Sequence, residues 1–158
     1  MKALVAYYSL SGTTEKAAKE LSGFLESKGH KATVEKIIPK KGYSKLSAYL
    51  IGCMQAMRKH TVELNPSNVN PADFGLIAVL SPTWAFTCAP PAYSFASSLP
   101  EARKGQKAIA ITANDGTPGD GPKALAGVLG KKGYEVVASF TVSPKESLRE
   151  IFEKEIRL

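Results

Sequence analysis

The chain has 158 residues, 44% of them hydrophobic and 22% charged, with a formal net charge of +7. This composition suits one globular domain with an ordinary core and contains no disordered block. No segment reaches the roughly 18 apolar residues of a membrane span. The apolar start is too short for a signal peptide, and Cys53 and Cys88 form no CxxC pair, so a cytoplasmic protein away from membranes is expected.

In chain order, the first feature is the apolar run Ala3 to Tyr8, which reads as a strand buried on both faces. The turn Ser9-Leu10-Ser11-Gly12-Thr13-Thr14 follows and leads into Glu15 to Lys28, where Ala17, Leu21 and Leu25 recur four apart as on one helix face. The first four N–H groups of such a helix have no partner within it and carry about half a positive charge together. Hydroxyls at Ser9, Ser11, Thr13 and Thr14, with Gly12 letting the backbone come close, make this turn a candidate phosphate cradle. Capping of the helix by Ser11 is the simpler alternative.

Ala32 to Ile37 is the second strand, after the helix-terminating Gly29. Leu46, Leu50, Cys53 and Met57, spaced four, three and four apart, predict an amphipathic helix ending in Arg58-Lys59-His60. Leu76 to Leu80 is apolar without interruption, as in a central parallel strand. Pro90-Pro91 opens a helix toward Leu99, and Ala108 to Ile111 is the fourth strand. Leu125, Val128 and Leu129 mark the next helix, and Val136 to Val142 the fifth strand. Leu148, Ile151, Phe152 and Ile156 mark the last helix, with Ser143 as its cap, Pro144 in its first position and Glu146 completing a capping box. Five strands alternating with five helices predict a single α/β domain spanning residues 1–158, a three-layer sandwich around a five-stranded parallel sheet.

Ligands of such sheets sit beyond the carboxyl ends of the strands where the strand order reverses. The loops after strands one, three and four are therefore the candidates. The first is the hydroxyl turn. The second, Ser81 to Pro91, carries the only Trp of the chain in Pro82-Thr83-Trp84-Ala85-Phe86, and the third runs Thr112-Ala113-Asn114-Asp115-Gly116-Thr117-Pro118-Gly119. A turn for phosphate, an indole for a ring and a polar loop for its edge together suit flavin mononucleotide, FMN.

These three loops, in this order, resemble those of the flavodoxin family, and the match covers nearly the whole chain. The resemblance is with short-chain members and implies FMN, redox activity and strand order 2-1-3-4-5. Flavodoxins themselves exemplify the switch-point rule, so that order comes with the resemblance and not from the pattern. It also implies cofactor contacts from Ser9, Leu10, Ser11, Gly12, Thr13 and Thr14, from Pro82, Thr83, Trp84, Ala85 and Phe86, and from Thr112, Ala113, Asn114, Asp115, Gly116 and Gly119.

Departures from the family pattern bear on mechanism. Relatives often have glycine close after the loop aromatic, in a peptide that flips to meet reduced flavin. Phe86 at positive φ costs roughly 1 kcal/mol or more, which argues against strong stabilisation of a one-electron-reduced flavin; its other role is a second apolar wall. The third loop lacks a covering aromatic, and the chain is basic where flavodoxins are commonly acidic. Acidic partner proteins are therefore expected, with an anionic nicotinamide nucleotide, NAD(P)H, as the alternative visitor.

Two functions follow from the resemblance. One is an electron-transfer protein; the other is an NAD(P)H-dependent oxidoreductase acting on a quinone or similar acceptor. The carrier is favoured because no second domain for nicotinamide is evident. Flavin supplies the redox chemistry in both, so no catalytic side chain is assigned. Two distant histidines and unclustered cysteines give no metal site, dispersed lysines give no nucleic-acid groove, and Cys88 reads as packing more than as a reactive thiol.

Overall fold

The computed structural model describes residues 1–114 and 119–158. Strand β1 (Lys2–Tyr7) lies between β2 (Lys31–Lys36) and β3 (Leu76–Trp84). β5 (Lys107–Ala113) pairs with β3 on its other side, and β6 (Glu135–Val142) forms the far edge. All these pairings are parallel and give the order β2-β1-β3-β5-β6, the sequential 2-1-3-4-5 expected. β4 (Thr87–Cys88) is an addition, antiparallel to the end of β3. The central strands are uniformly apolar because helices cover both their faces, which leaves Ala3, Leu4, Val5 and Ala6 without exposed surface.

Helices α1 (Thr13–Ser27) and α6 (Leu148–Glu155) cover one face, where Leu21, Leu25 and Phe152 meet Val5, Leu80 and Ile111. Helices α4 (Pro90–Ser98) and α5 (Gly121–Lys131) cover the other, where Phe95, Leu125 and Leu129 meet Leu4, Ile77 and Val79. This is the three-layer α/β sandwich expected from the alternating pattern.

The segment after β2 is built differently from expectation. It runs as α2 (Lys45–Ser47), a π-helical turn (Ala48–Gly52) and α3 (Cys53–Met57). Its large apolar residues do not turn inward: Leu46, Leu50 and Met57 are 68%, 59% and 66% exposed, while Ala48, Gly52 and Ala56 are buried. Close approach explains the inversion, since a Cβ on Gly52 would lie 2.7 Å from the Trp84 ring. Only a small-residue stripe fits there.

The last helix also starts later than expected. Glu146 does accept from the Ser143 N–H at 3.1 Å, yet the Glu146 N–H returns to the Ser143 carbonyl, closing a turn. α6 begins at Leu148, with Ser147 as its N-cap.

Candidate functional site

At the carboxyl ends of β1, β3 and β5 lies a cleft of about 500 Å³, within the range of small-molecule sites. Its walls come from Leu10, Ser11, Thr13 and Thr14 of the first loop, Pro82 to Phe86 of the second, and Ala113 with Asn114 of the third. Of the expected contacts, eleven thus line one cleft. Ser9, Gly12, Thr112 and Gly119 do not line it, and Asp115 and Gly116 lie outside the described residues.

These non-lining residues shape the loops instead. Ser9 Oγ accepts the Gly12 N–H at 3.0 Å, which tightens the first turn, and Gly12 takes φ 98°, a left-handed conformation suited to glycine. Thr112 is buried in β5, its hydroxyl 3.1 Å from that of Thr141. Gly119 lies against the Phe86 carbonyl, where a Cβ would approach the oxygen to 1.7 Å.

The first loop is not a conventional cap. Gly12 is the N-cap of α1, and among the described residues no side chain caps the first-turn amides. The earliest helical bond is Lys16 N–H to the Gly12 carbonyl at 3.0 Å, so the amides of Thr13, Thr14 and Glu15 precede the ladder. Ser11 and Thr13 hold their hydroxyls 3.5 Å apart at this end. Ser11 therefore does not serve the helix as its N-cap. What remains is a cluster of donors beside a positive helix end. On the other side of the same turn a second cleft, of about 550 Å³, shares Ser11, Thr13 and Ala113 and adds Lys16 and Arg149. These two cations were not foreseen. Lys16, one turn along α1 from Gly12, was open to recognition; Arg149 comes from distant sequence.

The second loop is a hairpin. β3 continues through Ser81 to Trp84, then reverses over Ala85 and Phe86 into β4, pairing Trp84 with Thr87 and Thr83 with Cys88. The type I′ form of such a two-residue turn needs positive φ at both central residues. Ala85 and Phe86 adopt φ 48° and 63° without being glycine or asparagine. The strain is held by two bonds: Ser81 Oγ accepts the Ala89 N–H at 2.8 Å, and the Phe86 carbonyl accepts the Asp120 N–H at 2.7 Å. Phe86 itself is 66% exposed at the cleft mouth.

Trp84 is fixed from behind. Its ring meets Tyr8 at 5.6 Å and Tyr43 at 5.1 Å between centroids, both edge-on, and Gly52 presses on its edge. Tyr43 is held in turn by its hydroxyl, which donates to Gln55 at 2.6 Å. The indole is evident in the sequence, whereas its supports come from residues distant in the chain. Burial, aided by Tyr43, pushes the Tyr8 hydroxyl up to about 12, so it stays a neutral phenol.

Two further groups bear on the chemistry. The Thr83 hydroxyl oxygen is buried with no hydrogen-bond partner among the described residues, an orphan on the cleft wall. Cys88 is buried behind the hairpin, and burial pushes its thiol up to about 11, which keeps it protonated and unreactive.

No protein-family model and no curated protein matches the chain. Solved structures do. A candidate flavoprotein of Bacteroides eggerthii superposes with a TM-score of 0.74 at 17% identity, covering 99% of both chains. A flavodoxin from the domain Archaea gives 0.65 at 19% identity over 98% of this chain and 92% of its own. A flavoprotein of Lactobacillus acidophilus, in complex with FMN, gives 0.64 at 18% identity over 90% of this chain and 92% of its own. The fold is flavodoxin-like.

Proposed function

We propose that this protein binds FMN in the cleft between the three loops and works as an electron-transfer protein. The observation that carries this reading is the hydroxyl turn at the uncapped N-terminus of α1. It opens onto a cleft that also presents Trp84 and the orphan Thr83 hydroxyl.

The residues fit the cofactor end by end. Ser11 and Thr13 hydroxyls, with the amides at the start of α1, would hold the phosphate, and the helix end supplies part of the compensating charge. Trp84 would lie against the ring system, kept in place by Tyr8, Tyr43 and Gly52. The Thr83 hydroxyl and the polar Asn114 supply hydrogen-bonding groups for the ring's polar edge. Bound FMN supplies the redox chemistry, taking and giving electrons singly or in pairs. The protein's share is position, exclusion of water and a fixed polar environment, and none of these residues has to act as acid or base. A phosphate cradle that closes on a terminal monoester also selects FMN over riboflavin, which lacks the group.

A second reading, an NAD(P)H-dependent oxidoreductase acting on a quinone or similar acceptor, is favoured by one observation. The Phe86 carbonyl is already engaged by Asp120 N–H, which holds this peptide in one orientation and opposes a flip as the cofactor changes charge. The two readings separate on anaerobic mixing of the FMN-loaded protein with NADPH or NADH. A carrier keeps its oxidised flavin absorbance for minutes. Rapid bleaching, with turnover on a quinone, would overturn the carrier and establish the enzyme.

The carrier reading requires a redox partner. With a net charge of +7, the expected partners are acidic proteins, and their association should weaken with salt. Among the described residues no helix is long and apolar enough to cross a membrane.

A further inference from the structure

The segment Lys45–Met57 turns its small residues inward and leaves Leu46, Tyr49, Leu50, Ile51, Met54 and Met57 between 45% and 75% exposed. Surface apolar residues are ordinarily scattered singly; six on one short segment mark a surface that something covers. The charges around it identify the occupant. From Lys36 to Val62 the sequence has six Lys or Arg and no Asp or Glu. Lys41 and Lys45 stand exposed at one end of the segment and Arg58 and Lys59 at the other, whereas Lys40 is paired with Glu63 at 3.3 Å.

Tyr, Met and Leu without charges at the centre, and cations at the rim, are the anatomy of a protein–protein interface. A second copy of this chain would bring one basic rim against another, which opposes self-association. A protein with a carboxylate rim is complementary. The segment itself backs the cleft wall, because Gly52, on its inner side, packs directly on Trp84, and Trp84 lines the cleft. A partner docked on the outer face is separated from Trp84 by the thickness of this one segment.

We propose that the outer face of Lys45–Met57 is the docking surface for an acidic electron-transfer protein; the inference rests on the carrier reading. The probe is a small acidic [2Fe–2S] ferredoxin, titrated calorimetrically into the FMN-loaded full chain at low salt and at roughly 0.3 M salt. Two triple variants are compared, Leu46→Ser with Leu50→Ser and Met57→Ser, and Lys41→Glu with Lys45→Glu and Arg58→Glu. All six positions are exposed and outside the cleft, so flavin absorbance and thermal midpoint should stay near those of the parent. The expected result is binding that weakens with salt and falls about tenfold or more in each variant.

Absence of ferredoxin binding, or equal affinity in parent and apolar variant, would overturn the docking face. So would preferential co-sedimentation with phosphatidylglycerol vesicles, which would assign the face to a membrane, or a stable dimer in the ultracentrifuge. FMN uptake by the parent is read first from its absorbance. Failure there contradicts the carrier reading, while ferredoxin binding still decides the face.

Discussion

Gly119 lies directly against the Phe86 carbonyl. A Cβ added there would sit 1.7 Å from the carbonyl oxygen, and the next residue donates its N–H to that same oxygen at 2.7 Å. Gly119 and Asp120 therefore clamp the strained Ala85-Phe86 turn.

Gly119→Ala should break this clamp. The obstacle is backbone, which cannot swing aside as a flexible side chain would, so a cost of about 1–3 kcal/mol or more is expected from overpacking. Thermal unfolding should show the loss, and FMN affinity should fall with it. Wild-type stability in this variant would mean that Gly119 and the hairpin are not in contact.

Joint replacement of Ser11 and Thr13 by alanine should act on the ligand and not on the fold. Neither side chain caps α1, so stability should change by less than about 0.5 kcal/mol. Hydrogen bonds to a charged group contribute about 1.5–3 kcal/mol each, so FMN should weaken tenfold or more while riboflavin is little affected. Equal weakening of both ligands would remove the phosphate role from the turn.

Trp84 is the only Trp of the chain, so its emission reports on the cleft without interference. Added FMN should quench it strongly. Gly52→Ala, which forces a methyl to within 2.7 Å of the ring edge, should displace the indole, reduce the quenching and weaken the flavin. Unchanged emission on saturation with FMN would place the ring system elsewhere.

Alkaline pH should destabilise the protein through buried acids. The Cys88 thiol is pushed from near 9 to about 11 and the Tyr8 hydroxyl from near 10 to about 12. Above pH 9 the unfolded chain loses these protons first, so it binds fewer protons than the folded one and stability falls as pH rises toward 11. Below about pH 8 neither group contributes an appreciable slope. Denaturant midpoints between pH 8 and 11 test this, and Cys88→Ala should flatten the decline, whatever its effect on absolute stability.

Fold and site differed in how far they could be read from residues. The strands were legible because a parallel sheet covered on both faces demands runs such as Leu76 to Leu80, and few other structures do. The three loops were legible because hydroxyls, an indole and polar residues cluster at strand ends. The hairpin was not: Ala85-Phe86 lacks the Asn-Gly signature of a tight turn, and its positive φ values are held by the Ser81–Ala89 bond across the loop and by Asp120 from beyond β5. Periodicity located the Lys45–Met57 helix but not its orientation. Burial there is decided by the close approach of Gly52 to Trp84, a contact between distant residues, and that reverses the usual rule that the large apolar side faces in. At Ser143 the capping-box residues are in contact, yet they close a turn because the helix itself starts at Leu148.

The central claim is that the cleft holds FMN by its phosphate and its ring together. Its most direct test is calorimetric titration of the cofactor-free protein with FMN and, separately, with riboflavin. One FMN per chain is expected, with riboflavin at least about tenfold weaker because the cradle at α1 has no phosphate to hold. Protein that takes up neither flavin, or that binds the two equally, would contradict it.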